Sequence, residues 1–468
     1  MAFLRCLHWL IACVTLLAAF VQRTRGTDIY LEWNVAYNNS IRRLLLINLY
    51  VIAINGEFPG PLINATTNDL IHINDGVAGT NCPIHPNTNW TYVFQTKDQI
   101  GTFFYFPSIN FQKAAGGYGP IRVNNRNVIA VSFPKPEDEF DFLIGDWFSG
   151  DYKEISSKMD DISSSAILMN GKGPYGDPRS TDHESFTVTK GKTCRFRISN
   201  EGSSYNFIFR IQNHKMVVVE TEGSYTNQTT LGSLHVHVGQ SYSVLVTADQ
   251  IEADNYIVVT PKWNLTTGAA RPDPQGTFTV SNVTISQTFV LQGLKAEING
   301  TTHYTVNNIS YDPINTPLKL AGYFVNGSCV YQLDWFPVDS VHAEAAYGVS
   351  VVTGIHKGWI GLVFRNNLDV MDSWNLDGFG FYVVGFGNGD WTPESRSTYN
   401  LYDPVVRSTH PGTLKNWYLG QELYIRVHDP DPNPAKGRPP PENLLLCGIF
   451  EEYHHPTAAP ASAPESGL

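Results

Sequence analysis

The chain has 468 residues and a formal net charge of −11, from 43 Asp and Glu against 32 Lys and Arg. Phosphate binding needs clustered Lys and Arg, so this balance excludes nucleic acid as the expected partner and disfavours broad adhesion to acidic polymers. The length allows about three domains, each able to bury a core.

The first 26 residues read as a signal peptide. Arg5 supplies the basic flank and Trp9 to Val21 is almost wholly apolar, a run too short to span a bilayer. No later segment has the length and apolarity of a transmembrane helix. Export predicts an oxidising setting. Cys6 and Cys13 depart with the leader, which leaves Cys82, Cys194, Cys329 and Cys447. No Cys-x-x-Cys spacing occurs among them, so zinc is not expected, and four cysteines permit three pairings. Nine Asn-x-Ser/Thr sequons, at Asn38, Asn64, Asn89, Asn227, Asn264, Asn282, Asn299, Asn308 and Asn326, predict a glycosylated surface.

From Thr27 onward period-two patterning dominates, and it predicts an all-β chain of sandwiches or barrels. A first domain spans 27–134. The linker Lys135-Pro-Glu-Asp introduces a strand from Phe140 to Trp147 that opens a second domain, 135–270. Asp151 to Asp161 is the one short helix expected. In Thr193-Cys-Arg-Phe-Arg-Ile-Ser, Cys194, Phe196 and Ile198 point one way, and Arg195 and Arg197 the other. Leu234, Val236 and Val238 alternate with His235 and His237. The joint Ala270-Arg-Pro-Asp-Pro-Gln-Gly precedes a third domain, 271–453, where Ile360, Leu362 and Phe364 alternate. The Pro-rich stretches at 429–434 and 438–441 are expected to be extended. Residues 454–468 read as a disordered Pro/Ala/Ser tail with no hydrophobic run after it, hence no GPI-type anchor.

Few residues suggest chemistry. His235 and His237 form a His-x-His pair, but no third ligand is evident and two surface histidines is the simpler reading. His454 and His455 stand beside Glu451 and Glu452 in a loose segment, a poor setting for catalysis. His214 is expected to fill a turn between strands. Gly171-Lys-Gly-Pro-Tyr-Gly lacks the Gly-Lys-Ser/Thr of a phosphate loop and reads as a turn. Neither a Gly-x-Ser-x-Gly elbow nor a His-Glu-x-x-His segment occurs, and no carboxylates can be paired as acid and base.

Several segments together carry a family resemblance. They are Val51-Ile-Ala-Ile-Asn-Gly-Glu-Phe-Pro-Gly-Pro, Gly79-Thr-Asn-Cys-Pro-Ile, Asp98-Gln-Ile-Gly-Thr-Phe-Phe-Tyr-Phe-Pro-Ser, Phe142-Leu-Ile-Gly-Asp-Trp and Trp417-Tyr-Leu-Gly-Gln-Glu-Leu-Tyr-Ile-Arg-Val. On these the chain resembles the multicopper oxidases, within them the plant ascorbate-oxidase-like proteins that include the skewed-growth and pollen-specific homologues. The resemblance implies three cupredoxin-like Greek-key β-sandwich domains and a secreted protein of the cell wall or pollen surface. It also implies a disulfide between Cys82 and Cys447, leaving Cys194 and Cys329 as thiols by default.

Active relatives hold copper through His and Cys ligands. Their first-domain His-x-His position reads Phe106-Pro107-Ser108 here. Their His-Pro-Trp-His-Leu-His-Gly-His segment reads Asp372-Ser-Trp-Asn375-Leu-Asp377-Gly-Phe379. The His-Cys-His segment has no counterpart before Trp417. Asp, Asn and Phe do not rebuild a soft copper site, so no cofactor is expected. Copper would be required if the family's activity were retained. Three family segments are also absent, between Asn74 and Asp75, between Trp263 and Ala270, and between His410 and Trp417.

The favoured expectation is a non-catalytic, monomeric structural or binding protein of the apoplast. Its expected partner is wall polysaccharide or a wall protein. A copper-dependent oxidoreductase and a non-functional shortened isoform are the alternatives.

Overall fold

The computed structural model describes residues 26–39, 41, 51–73, 81–109, 111–126, 130–148, 150–157, 164–173, 183–261, 280–368, 372, 374–410, 414–428, 440 and 444–452. Residues 1–25 of the leader, the 454–468 tail, Asn264, His454 and His455 lie outside them. So do residues at each of the three expected gaps (74–80, 262–279 and 411–413).

The described residues are built mainly from strands, as the alternation predicts. The best-developed sandwich lies mid-chain. Its larger sheet has the order Ala166–Met169, Glu139–Trp147, Thr193–Asn200, Ser241–Thr247, Met216–Thr221, Ser224–Leu231. Leu234–Val236, Phe207–Ile211 and Ile257–Pro261 form the facing sheet. Phe142, Ile144, Phe196 and Ile198 pack between the layers against Phe207, Phe209, Leu234 and Val236. Glu139–Trp147 and Thr193–Asn200 pair in parallel, so the chain between them must cross over instead of turning back as a hairpin.

Ahead of it, two small sheets enclose a second core. One is Asp28–Tyr30, Leu70–Ile73, Tyr92–Gln95; the other is Ile63–Thr66, Gly119–Asn124, Gly101–Tyr105. Ile63, Ala65, Ile71 and Ile73 fill the space between. After it, Ile285–Ile298 is the longest strand, flanked by Thr301–Val306 and Trp359–Asn366 in a five-stranded sheet. Against this sheet pack Val351–Ile355, paired with Tyr424–His428, and Trp374–Asn375, paired with Thr409–His410; Phe381–Val383 pairs with Val405–Arg407.

Two expectations need correction. The predicted helix is present over Tyr152–Ser157, with 158–161 outside the described residues, but two further short helices, Leu318–Phe324 and Leu414–Tyr418, appear where none was expected. Arg195 and Arg197 lie opposite the core residues, as expected, and are buried as well, because strand Gly101–Tyr105 packs on that face. His237, expected at the surface, is buried just beyond strand Leu234–Val236.

Candidate functional site

The segment that matches the copper frame begins inside the protein and ends outside it. Asp372 is 5% exposed, and its carboxylate is engaged. Oδ1 accepts from Asn416 Nδ2 at 2.9 Å and from Gln421 Nε2 at 2.6 Å, while Oδ2 accepts from the same Gln421 nitrogen at 2.7 Å. Asn416 lies on helix Leu414–Tyr418 and Gln421 just after it, and both are buried. Gly293 makes room for the carboxylate, since a Cβ there would stand 2.1 Å from Asp372 Oδ2. Trp374 stacks on Phe364, ring centres 4.9 Å apart, and fixes the strand that follows. Asn375 is exposed, and its amide donates to Asp377 Oδ1. Asp377 and Phe379 are exposed as well, Phe379 by 63%. Thus the structure does not bring the four frame positions together.

Behind this segment, burial pushes the Glu422 carboxyl up to about 7, and the hydroxyl of Tyr424 donates to it. Tyr418 is half-buried and packs against Phe111 of the first sandwich, ring edge to face at 4.7 Å.

The other frame positions, Phe106 and Ser108, follow strand Gly101–Tyr105 and are half-buried. The Lys113 ammonium, on the short 3-10 turn Gln112–Ala115, lies 4.5 Å from the centre of the Phe106 ring and 5.1 Å from that of Phe104. Both are cation–π distances. Lys113 Nζ donates to the Gly202 carbonyl at 3.3 Å. Burial lowers its pKa to about 8, opposed by the charges of Glu201 and Asp146.

The remaining candidates fall apart from these. His235 is half-buried opposite Ile208, and the His237 amide donates to Gln240 Oε1. His214 fills a turn, its Nδ1 2.8 Å from the Gln212 carbonyl. Glu451 and Glu452 are exposed. Cys82 and Cys447 are joined as a disulfide, packed with Leu320, Phe324 and Phe450. Cys194 is a buried thiol and Cys329 an exposed one. Of the sequon asparagines, Asn64, Asn89, Asn227, Asn282, Asn299 and Asn326 are exposed, and Asn38 and Asn308 half-buried. Among the described residues no three His, Cys, Asp or Glu converge as a metal-binding group, and no helix is long and apolar enough to cross a membrane.

Sequence reasoning missed the buried ionic residues. Lys113, Asp146 and Glu201 form one cluster; Glu139, Arg195, Arg197 and Glu220 form another. A partial signal was present: Asp146 directly follows the apolar run Phe142-Leu-Ile-Gly, and Arg195 and Arg197 alternate with Cys194, Phe196 and Ile198.

Comparison with known proteins agrees with this architecture. Multicopper oxidase family models match residues 72–128, 138–292 and 329–431. The chain is 36% identical to the monocopper oxidase-like protein SKU5 of Arabidopsis thaliana, over 89% of each chain. It is 34% identical to an L-ascorbate oxidase homolog of Brassica napus, over 97% of this chain and 99% of that one. Those alignments run to 524 and 554 positions, more than the 468 residues here, so the relatives carry residues with no counterpart in this chain. Among solved structures, Fet3p, a multicopper oxidase that functions in iron import, superposes with a TM-score of 0.66 at 16% identity, covering 89% of this chain and 93% of that one. A laccase from Botrytis aclada gives 0.61 at 20% identity, covering 83% and 82%. The fold is therefore the cupredoxin-type sandwich array of those oxidases. With its sheets, its matched segments and its full-length relatives in agreement, this chain belongs to the multicopper oxidase family.

Proposed function

We propose that this chain is a secreted, glycosylated and copper-free member of its family, with a structural or binding role in the plant cell wall or on the pollen surface. The observation that carries this reading is the state of Asp372. Copper sites of this family type need imidazole and thiolate donors; Asp372 offers hard oxygens that already accept amide hydrogen bonds from Asn416 and Gln421. At the other frame position, the Phe106 ring has no ligand atom and faces a lysine ammonium. The residues present do not fit copper, so no electron-transfer step is assigned.

Three sandwich units, 27–134, 135–270 and 271–453, are the proposed organisation, with the molecule acting as a monomer toward wall polysaccharide or a wall protein. The exposed sequons support glycosylation, and the apolar leader supports export. The test is direct. Protein purified from a eukaryotic secretory host is incubated with excess Cu(II), desalted and assayed for metal. The expected result is copper far below one atom per chain and no blue absorption band. Stoichiometric copper, or copper-dependent oxidation of ascorbate, would overturn the reading and favour an oxidoreductase.

A further inference from the structure

The Lys113 cluster lies where the first sandwich meets the second, and its four polar side chains are shut away from water. Lys113 is 2% exposed, Tyr118 3%, Glu201 3% and Asp146 6%. From the first sandwich come Lys113, the rings of Phe104 and Phe106, and the hydroxyl of Tyr118, which hydrogen-bonds Glu201. The second sandwich contributes Asp146, from strand Glu139–Trp147, and the loop carrying Glu201 and Gly202. The two carboxylates are not equivalent. Asp146 is pinned, with Oδ1 accepting from the Ser203 amide at 2.6 Å and Oδ2 from the Ser204 amide at 3.0 Å. Glu201 has no comparable cradle of amides. It is wedged against Gly145, where a Cβ would come within 2.0 Å of its Oε1.

We propose that Glu201 is the proton-operated catch of this joint. With its proton in place, the single ammonium of Lys113 faces the single charge of Asp146 and the joint is closed; when Glu201 ionises, a second buried negative charge loosens segment 111–118 from the second sandwich. Burying a charge without its own partner is costly, and the cluster has one cation for two acids.

The direction of the pH dependence follows from burial. Burial raises the Glu201 carboxyl to about 8, with Lys113 pulling the other way, and it raises Asp146 too. The folded chain therefore binds a proton that the unfolded chain releases. That contribution is complete below the ordinary carboxylate range and is lost as pH rises through about 8. Lys113, lowered to about 8, has the opposite sign: its depressed pKa returns stability between there and the ordinary lysine range. The joint is weakest near the crossover.

Hydrogen exchange on the full glycosylated protein reads the joint directly. After correction for intrinsic exchange, amides in 111–118 are expected to lose protection between about pH 6 and 8, by up to about tenfold per unit. E201Q keeps the shape without the charge, and its protection is expected to stay level across that range. K113M removes the counter-charge and is expected to move the loss toward higher pH. A wild-type profile that is flat, or an E201Q profile that tracks the wild type, would overturn the proposal. Should E201Q not fold, an unshifted K113M profile would overturn it equally.

Discussion

At the residue scale, the most demanding position is Arg197, buried to 1% exposure. Its Nε donates to Glu139 Oε2 at 2.9 Å and its Nη1 to Thr102 Oγ1 at 2.9 Å and the Gly101 carbonyl at 3.2 Å. Glu220, equally buried, accepts from Arg195, Ser243 and Thr102. Removing one member of such a set strands the others in a dry interior. Arg197→Met is expected to destabilise the protein by roughly 3–5 kcal/mol in urea unfolding; a loss under about 1 kcal/mol would show that the network relaxes around the gap. Burial pushes the Glu139 carboxyl up, but Arg197 and Arg195 outweigh it and hold it below its usual value. Its contribution is therefore present above the ordinary carboxylate pKa and lost in acid, the reverse of Glu201. The alternation of Arg with Phe and Ile told which face each side chain takes. It did not tell that both faces are covered, because the covering strand, Gly101–Tyr105, is distant in sequence.

At the element scale, strands were the most legible part of the chain, whereas the turn at Asn299-Gly300 was legible only as a sequon. The pair Asn299-Gly300 closes the hairpin between Ile285–Ile298 and Thr301–Val306, with φ of 53° and 78° and Ile298 directly opposite Thr301. Two successive left-handed residues make the tight hairpin turn whose twist suits the strands. A Cβ on Gly300 would meet nothing within 4 Å, so the cost of Gly300→Ala is purely conformational, expected at about 1 kcal/mol in thermal or urea unfolding. A neutral result would mean that the turn readily changes type. Strand identity in Thr193–Asn200 and Trp359–Asn366 was readable from alternation. Helices Leu318–Phe324 and Leu414–Tyr418 were not, since pieces this short show no sustained 3.6-residue period. The frame around Asp372 was legible as a motif that had changed its chemistry. Its hydrogen bonds to Asn416 and Gln421 were not, because those partners lie more than forty residues on.

At the scale of the whole molecule, joints between sandwiches are ionic as well as apolar. Glu222 shows this in a single residue. Its carbonyl accepts from the Thr102 amide, while its carboxylate receives Arg407 and the Ser408 hydroxyl. It thereby ties strand Gly101–Tyr105 to strand Val405–Arg407 through the middle sandwich. The disulfide adds a covalent tie across 365 residues of sequence, a closure that contributes on the order of 5 kcal/mol by chain entropy. Its further consequence is topological. Between Cys82 and Cys447 the backbone is a ring, and a ring cut once remains a single object. Proteolysis in the exposed stretch 385–390 is therefore expected to leave the apparent mass on a non-reducing gel unchanged and to yield two fragments only after reduction. Two fragments without reductant would mean that the ring is not closed in the purified protein. Such closure converts a first cut from loss of a piece into a change of shape.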